Sequence, residues 1–281
     1  MNGNLMPLDR AAIITLGSKL APAAATFGQL RGLLNDPNTG SEEIVQLIRL
    51  DPALTFHVIR MSNSVIFGLR DQNDSLEGAV GRVGFREIYR LVGLAAAQQV
   101  CQNDLPNYRL GATRLWENSI ATAASAEVLA EKAGAEPGLA YTSGLLRTLG
   151  RVIIDGFAAG RIYPGEAEWP LVAEWEQATF GITSAEVSAV LLEHWRFPAE
   201  IVDAVRGHFD PFGRKDRDVG ACVLNLACGV VARFGLDLPG ETSHWICSPT
   251  ELELAHVTEE TLEDCAARSR EHYAALCASL S

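Results

Sequence analysis

Apolar positions along this chain recur at three- and four-residue spacings, and no window sustains the period-two alternation of a strand, so the fold class reads as all-α. The most sharply marked element is residues 51–64. Asp51 can accept from the free N–H groups of a first turn, and Pro52 suits the first helical position because it has no N–H to lose. Leu54, Val58 and Met61 follow at i, i+4 and i+7 on one face. Asn63 and Ser64 stop the pattern before another apolar run, and such a polar pair must find hydrogen-bond partners or stay wet. Asp51 and Asn63 lie roughly 18 Å apart along a helix, too far to share one small ligand. The stretch therefore reads as scaffold, with Arg60, Asn63 and Ser64 the candidate surface for a partner or effector.

Other helices are predicted around residues 11–20, over 23–34 after Pro22, and after Ser41 as cap, with Glu42 and Glu43 in the first turn and Ile44, Val45, Leu47 and Ile48 inward. Asp74 and Glu77 have capping-box spacing ahead of the stripe Leu76, Val80 and Val83. Gly78, Gly81 and Gly84, spaced by three, suggest close helix packing rather than a phosphate loop. A helix over 85–101 ends at a break at 104–107, which divides the chain into halves, 1–105 and 106–281. The second half reads as helices over 115–133, 141–157, 171–180, 183–195, 198–208 and 219–234, then an unpatterned loop over 235–249. A last amphipathic helix carries Leu262, Cys265, Ala266, Tyr273, Leu276 and Leu280 behind Thr258 as cap.

Composition narrows the function classes. With 281 residues, 48% hydrophobic and 21% charged, the chain can bury a sizeable core. Lys plus Arg number 23 against 35 Asp plus Glu, giving −12, and the densest charge run, 214–218, neutralises itself. Such a surface repels phosphate backbones and anionic lipid, which excludes nucleic acid and a membrane as partners. No apolar run reaches the roughly 20 residues that span a bilayer, since the best, 219–232, is broken by Asn225. Asp9 ahead of Ala11–Ile14 and the stop at 17–19 do not resemble a signal peptide. Six cysteines without CxxC spacing read as reduced thiols of a cytoplasmic protein.

No P-loop, dinucleotide fingerprint or GxSxG motif occurs. His194, His244, His256 and His272 form no metal-like i, i+4 pair, and His57 suits a surface or capping role.

Several pieces, in order, resemble the HDOD domain, a bacterial signalling domain related to the HD-type metal-dependent phosphohydrolases. They are the segment LAPAAATFGQLRGLL at 20–34, the helix at 41–48, the Asp51-Pro52-Ala53-Leu54 start, Asn63-Ser64, Ser75-Leu76 with Ala79-Val80, and Val83-Gly84. The likeness continues through Trp116 with Ser119, Gly144-Leu145-Leu146 with Leu149-Gly150, Trp195 with Pro198, and His208 with Pro211. The resemblance implies an N-terminal helical subdomain packed on an HD-like one.

It also implies where metal ligands would stand. The His-Asp pair that names HD enzymes is matched here by Arg147 and Thr148, a permanent cation without a lone pair and a poor ligand. Other ligand positions fall on Asn118, Ser184, His208 with Phe209, and Cys228. These substitutions imply a non-catalytic regulatory domain with no metal or other cofactor, acting on a regulatory protein partner. Receiver or cyclic-dinucleotide neighbours find no room in 281 residues, so input is expected in trans. An alternative is a sensor whose vestigial cleft takes a nucleotide or cyclic dinucleotide on Arg147, against which stands pairing of Arg147 with a nearby carboxylate. Residual phosphohydrolase activity ranks last. The final helix is expected to pack on the core or on a second copy in a homodimer.

Overall fold

A computed structural model describes residues 6–20, 22–34, 36, 38–63, 75–158, 160–213 and 218–280. Helices α1 (Arg10–Leu20), α2 (Pro22–Leu34), α3 (Ser41–Arg49), α4 (Pro52–Ser62), α5 (Leu76–Val83) and α6 (Phe85–Val100) make the first half. The second holds α7 (Ala112–Ala133), α8 (Pro137–Leu146), α9 (Leu149–Phe157), α10 (Val172–Phe180), α11 (Ser184–His194), α12 (Ala199–Gly207), α13 (Val219–Arg233), α14 (Pro249–Leu254) and α15 (Glu259–Leu280). Among the described residues there is no strand, only an isolated bridge between Leu105 and Leu110 at the break near 104–107.

α4 forms as its sequence requires. The Asp51 carboxylate accepts from the Leu54 amide at 3.0 Å, Pro52 opens the helix, and Leu54, Val58 and Met61 are buried against α3, α5 and α6. Three such side chains contribute about 5–9 kcal/mol of apolar burial against about 1 kcal/mol for the cap, so the stripe sets the helix and the cap sets its start. Asn63 is its C-terminal cap residue, while Ser64 lies outside the described residues.

α7 organises the second half. Its 22 residues run roughly 33 Å and pack on α8, α13 and α15. Small side chains allow a close approach: a Cβ on Gly144 of α8 would lie 2.8 Å from the Ala123 backbone. α6 touches both α7 and α8, and one apolar core runs from Leu8 to Leu276 across both halves.

Three local expectations need correction. Gly40, not Ser41, is the N-cap of α3, where Glu43 accepts from its amide at 3.0 Å. Ser75 caps α5 by accepting from the Gly78 amide at 3.1 Å, so the short Ser hydroxyl does what was expected of Asp74, which lies outside the described residues. Close packing explains neither Gly81 nor Gly84: a Cβ at either meets nothing within 4 Å, and Gly84 is needed for its φ of +81° between two helices.

The expected single helix over 141–157 is two. α8 ends and α9 begins at Arg147 and Thr148, the positions that matched the His-Asp pair. Just beyond, a Cβ on Gly150 would sit 1.9 Å from the Ser184 carbonyl oxygen, so the start of α9 is pressed onto α11 as only glycine permits.

Candidate functional site

The turn between α8 and α9 aims Arg147 inward, where it is 2% exposed. Its Nη1 and Nη2 donate to the two carboxylate oxygens of Glu241 at 3.0 and 2.9 Å, and Nη2 also donates to Asn118 Oδ1 of α7 at 2.6 Å. Arg151, one helical turn on, brings Nη2 to within 2.8 Å of Glu241 Oε1 and donates from Nη1 to the Pro239 carbonyl at 3.2 Å. Two guanidiniums thus share one carboxylate, all buried. Removal from water is expensive for each charge, and the bidentate fork on Glu241, with further bonds to Asn118 and the Pro239 carbonyl, offsets it, although Arg147 Nε is buried without a hydrogen-bond partner. The Trp245 ring takes further charge, with the Arg147 guanidinium carbon 5.8 Å from its centroid.

His208, 1% exposed at the end of α12, places Nδ1 2.7 Å from the Val205 carbonyl and leaves Nε2 buried without a partner. Burial, and then the nearby Arg147 charge, push its pKa down to about 3, so it stays neutral. Burial opposes ionisation of Glu241 too, but Arg147 and Arg151 outweigh it and hold the carboxyl at about 2. Cys228 on α13 faces Arg147, and burial lifts its thiol to about 12. Asn225, the residue that broke the apolar run, donates to the His208 carbonyl at 2.8 Å and the His244 carbonyl at 3.2 Å, tying α13 to the loop that carries Glu241. Phe209 lies between His208 and His244, its ring 4.3 and 4.4 Å from theirs.

The structure therefore gathers Asn118, Arg147, His208 and Cys228 at one point, with Phe209 at its edge. Thr148 turns aside to the Ser119 hydroxyl at 3.2 Å. Ser184 stands across α9, its amide donating to Glu176 at 2.6 Å, while Tyr108 donates to the other Glu176 oxygen at 2.8 Å. Arg60, exposed on α4, and the half-buried Asn63 belong elsewhere, on a helix packed against α3, α5 and α6. Arg147 as an anion holder is corrected by its geometry: both Nη atoms already serve Glu241 and Asn118, and almost none of the side chain reaches solvent.

Sequence reasoning missed Glu241 and Arg151. Glu241 lies in the unpatterned loop, with no periodicity to mark it inward. Arg151 sits among apolar neighbours, Leu149 and Val152–Ile154, and an arginine in such a run was its signal. The cluster does not suit a divalent cation: two permanent cations occupy it, and its one carboxylate is committed to them. Among the described residues, no three His, Cys, Asp or Glu side chains converge as ligands.

The helix order and this cluster define an all-α domain of the HD-like type. The family model described as the HDOD domain matches residues 20–211, and the chain belongs to that family. A provisionally named phosphohydrolase from Shewanella amazonensis SB2B superposes with a TM-score of 0.70 at 20% identity, over 96% of this chain and 98% of its own. A provisionally named signal transduction protein from Marinobacter aquaeolei VT8 gives 0.71 at 22% identity, over 99% and 62% respectively. An HDOD domain protein with unknown function from Geobacter sulfurreducens gives 0.63 at 18%, over 94% and 99%. These likenesses establish the fold. An uncharacterized protein of Treponema pallidum (strain Nichols) is 26% identical over 193 residues, 64% of this chain and 36% of its own length, so the chain spans about a third of that relative. No helix among the described residues is long and apolar enough to cross a membrane.

Proposed function

We propose that this chain is a non-catalytic regulatory domain of bacterial signalling, working in the cytoplasm by binding another protein. The observation that supports this reading is the buried Arg147–Glu241–Arg151 cluster, built on Arg147, which the resemblance matches to a metal-ligand position of HD-type enzymes. A guanidinium there repels a divalent cation, and without a cation no water is activated for attack on phosphate.

The outward face of α4 supports a docking role. Pro52, Phe56 and Arg60 follow one another at four-residue spacing, all exposed, with Phe56 64% exposed and Leu50 just ahead at 78%. A large ring flanked by a cation suits a partner that offers an apolar pocket and a carboxylate. The test is affinity capture from the native cell, followed by rebinding of the purified pair, with wild type beside Phe56→Ala and Arg60→Glu. A regulatory protein retained by wild type and lost from both variants is expected. Recovery of none, or undiminished binding by the variants, overturns the reading.

A further inference from the structure

A cavity of about 340 Å³ opens at the seam between the halves, where α2 and α6 meet α7 and α8. That volume lies in the lower part of the roughly 300–1,000 Å³ range of small-molecule sites. Arg31, Arg86 and Arg90 line it against two carboxylates, Glu127 and Glu136, so it is net cationic in a chain of net charge −12. A lining with one positive charge in excess, in an otherwise acidic protein, favours an anion there.

The three guanidiniums differ in how firmly they are held. Arg31 and Arg90 lie over the rings of Tyr89 and Tyr141, at 5.5 and 5.0 Å from the centroids, which fixes their planes. Arg90 is fully engaged, with Glu127 at 3.0 Å and His272 of α15 at 2.9 Å. Arg31 donates one Nη to Glu136 at 3.2 Å, but its Nε is buried without a partner. Arg86 is 70% exposed and holds Glu127 only at 3.4 Å, a contact that costs little to exchange. The Tyr141 hydroxyl, 1% exposed as a residue and close to Arg90, completes no hydrogen bond of normal geometry. Phe85, 41% exposed, leaves a ring open at the mouth.

Two lining residues with an unpartnered buried donor, Arg31 and Tyr141, a loosely tethered arginine and an exposed aromatic ring are complementary to one kind of ligand. We infer that this seam cavity binds a phosphorylated planar heterocycle of mononucleotide size, its phosphate on Arg86 and Arg31 and its ring against Phe85. The anion site thus lies at the junction of the halves and not at Arg147. A ligand there touches α2, α6, α7 and α8 together, and Arg90 links it to α15. The inference does not depend on the docking role of α4.

Isothermal titration calorimetry on the full chain tests it, with AMP, GMP, adenosine and inorganic phosphate as probes. At least one nucleotide should bind with Kd of about 10–100 µM, and adenosine and phosphate at least about tenfold more weakly. Arg86→Glu and Phe85→Ala, both at exposed positions, should each weaken nucleotide binding about tenfold or more while the circular dichroism melt stays that of wild type. Three results overturn the assignment: no heat from either nucleotide up to about 5 mM, phosphate alone binding as tightly as a nucleotide, or affinity unchanged in Arg86→Glu.

Discussion

The Arg147 guanidinium meets the Glu241 carboxylate through two hydrogen bonds, 3.0 and 2.9 Å long, although 94 residues separate them in the chain. Glu241→Ala leaves two buried guanidiniums facing each other, and should cost about 3–5 kcal/mol of unfolding free energy. Arg147→Met should cost less, because Arg151 keeps its 2.8 Å contact with the carboxylate. Urea denaturation of the three proteins gives the order, and equal stability of Glu241→Ala and wild type would remove the cluster from the energetics of the fold.

Acidification should destabilise the protein through His208. Its folded pKa, about 3, lies below the unfolded 6.5, so the unfolded chain takes the proton first. The stability it contributes is complete above 6.5 and is lost as pH falls toward 3, by about 1.4 kcal/mol per unit in that window. Glu241, held at about 2 against 4.5, adds a loss of the same sign from 4.5 downward. Glu127 and Glu176 are raised by burial and act oppositely, so the comparison with His208→Gln isolates the ring. The drop in urea midpoint between about pH 6.5 and pH 5 should be smaller in the variant, by about 2 kcal/mol in stability, and parallel curves would refute the buried neutral histidine.

Asp51→Ala should cost about 1 kcal/mol through loss of the bond to the Leu54 amide, with Asp51→Asn largely retaining it. Thermal unfolding monitored by circular dichroism reads the difference.

Two glycines should respond in opposite directions. Gly150→Ala forces a methyl to 1.9 Å from the Ser184 carbonyl oxygen and should cost about 3 kcal/mol or more, separating α9 from α11. Gly81→Ala, in a helix with open space at Cβ, should stabilise by up to about 1 kcal/mol. Denaturation midpoints of the pair check the sign.

Periodic elements were legible in the sequence because burial of a stripe leaves a mark at i, i+4 and i+7, as Leu54, Val58 and Met61 show. The split at Arg147 and Thr148 was not, since apolar residues flank it on both sides and no proline or capping motif marks it. Four of the positions that the resemblance matches to ligands, Asn118, Arg147, His208 and Cys228, do converge in the structure, placed by the packing of α7, α8, α12 and α13. Glu241, the residue that completes the centre, was invisible: a loop carboxylate becomes a core residue only when distant helices supply its cations. The cavity at the seam was hidden for the same reason, with Arg31, Arg86 and Tyr141 coming from three helices.

The most direct test of the central claim is metal content with turnover on the same preparation. The 281-residue chain is loaded with Mn²⁺, Fe²⁺ or Ni²⁺ and desalted, metal is measured by mass spectrometry, and hydrolysis of a phosphodiester is followed. With Arg147 and Arg151 seated on Glu241, the expected result is far less than one ion per chain and no hydrolysis above background. An ion held at about one per chain, with hydrolysis that a chelator stops, would contradict it.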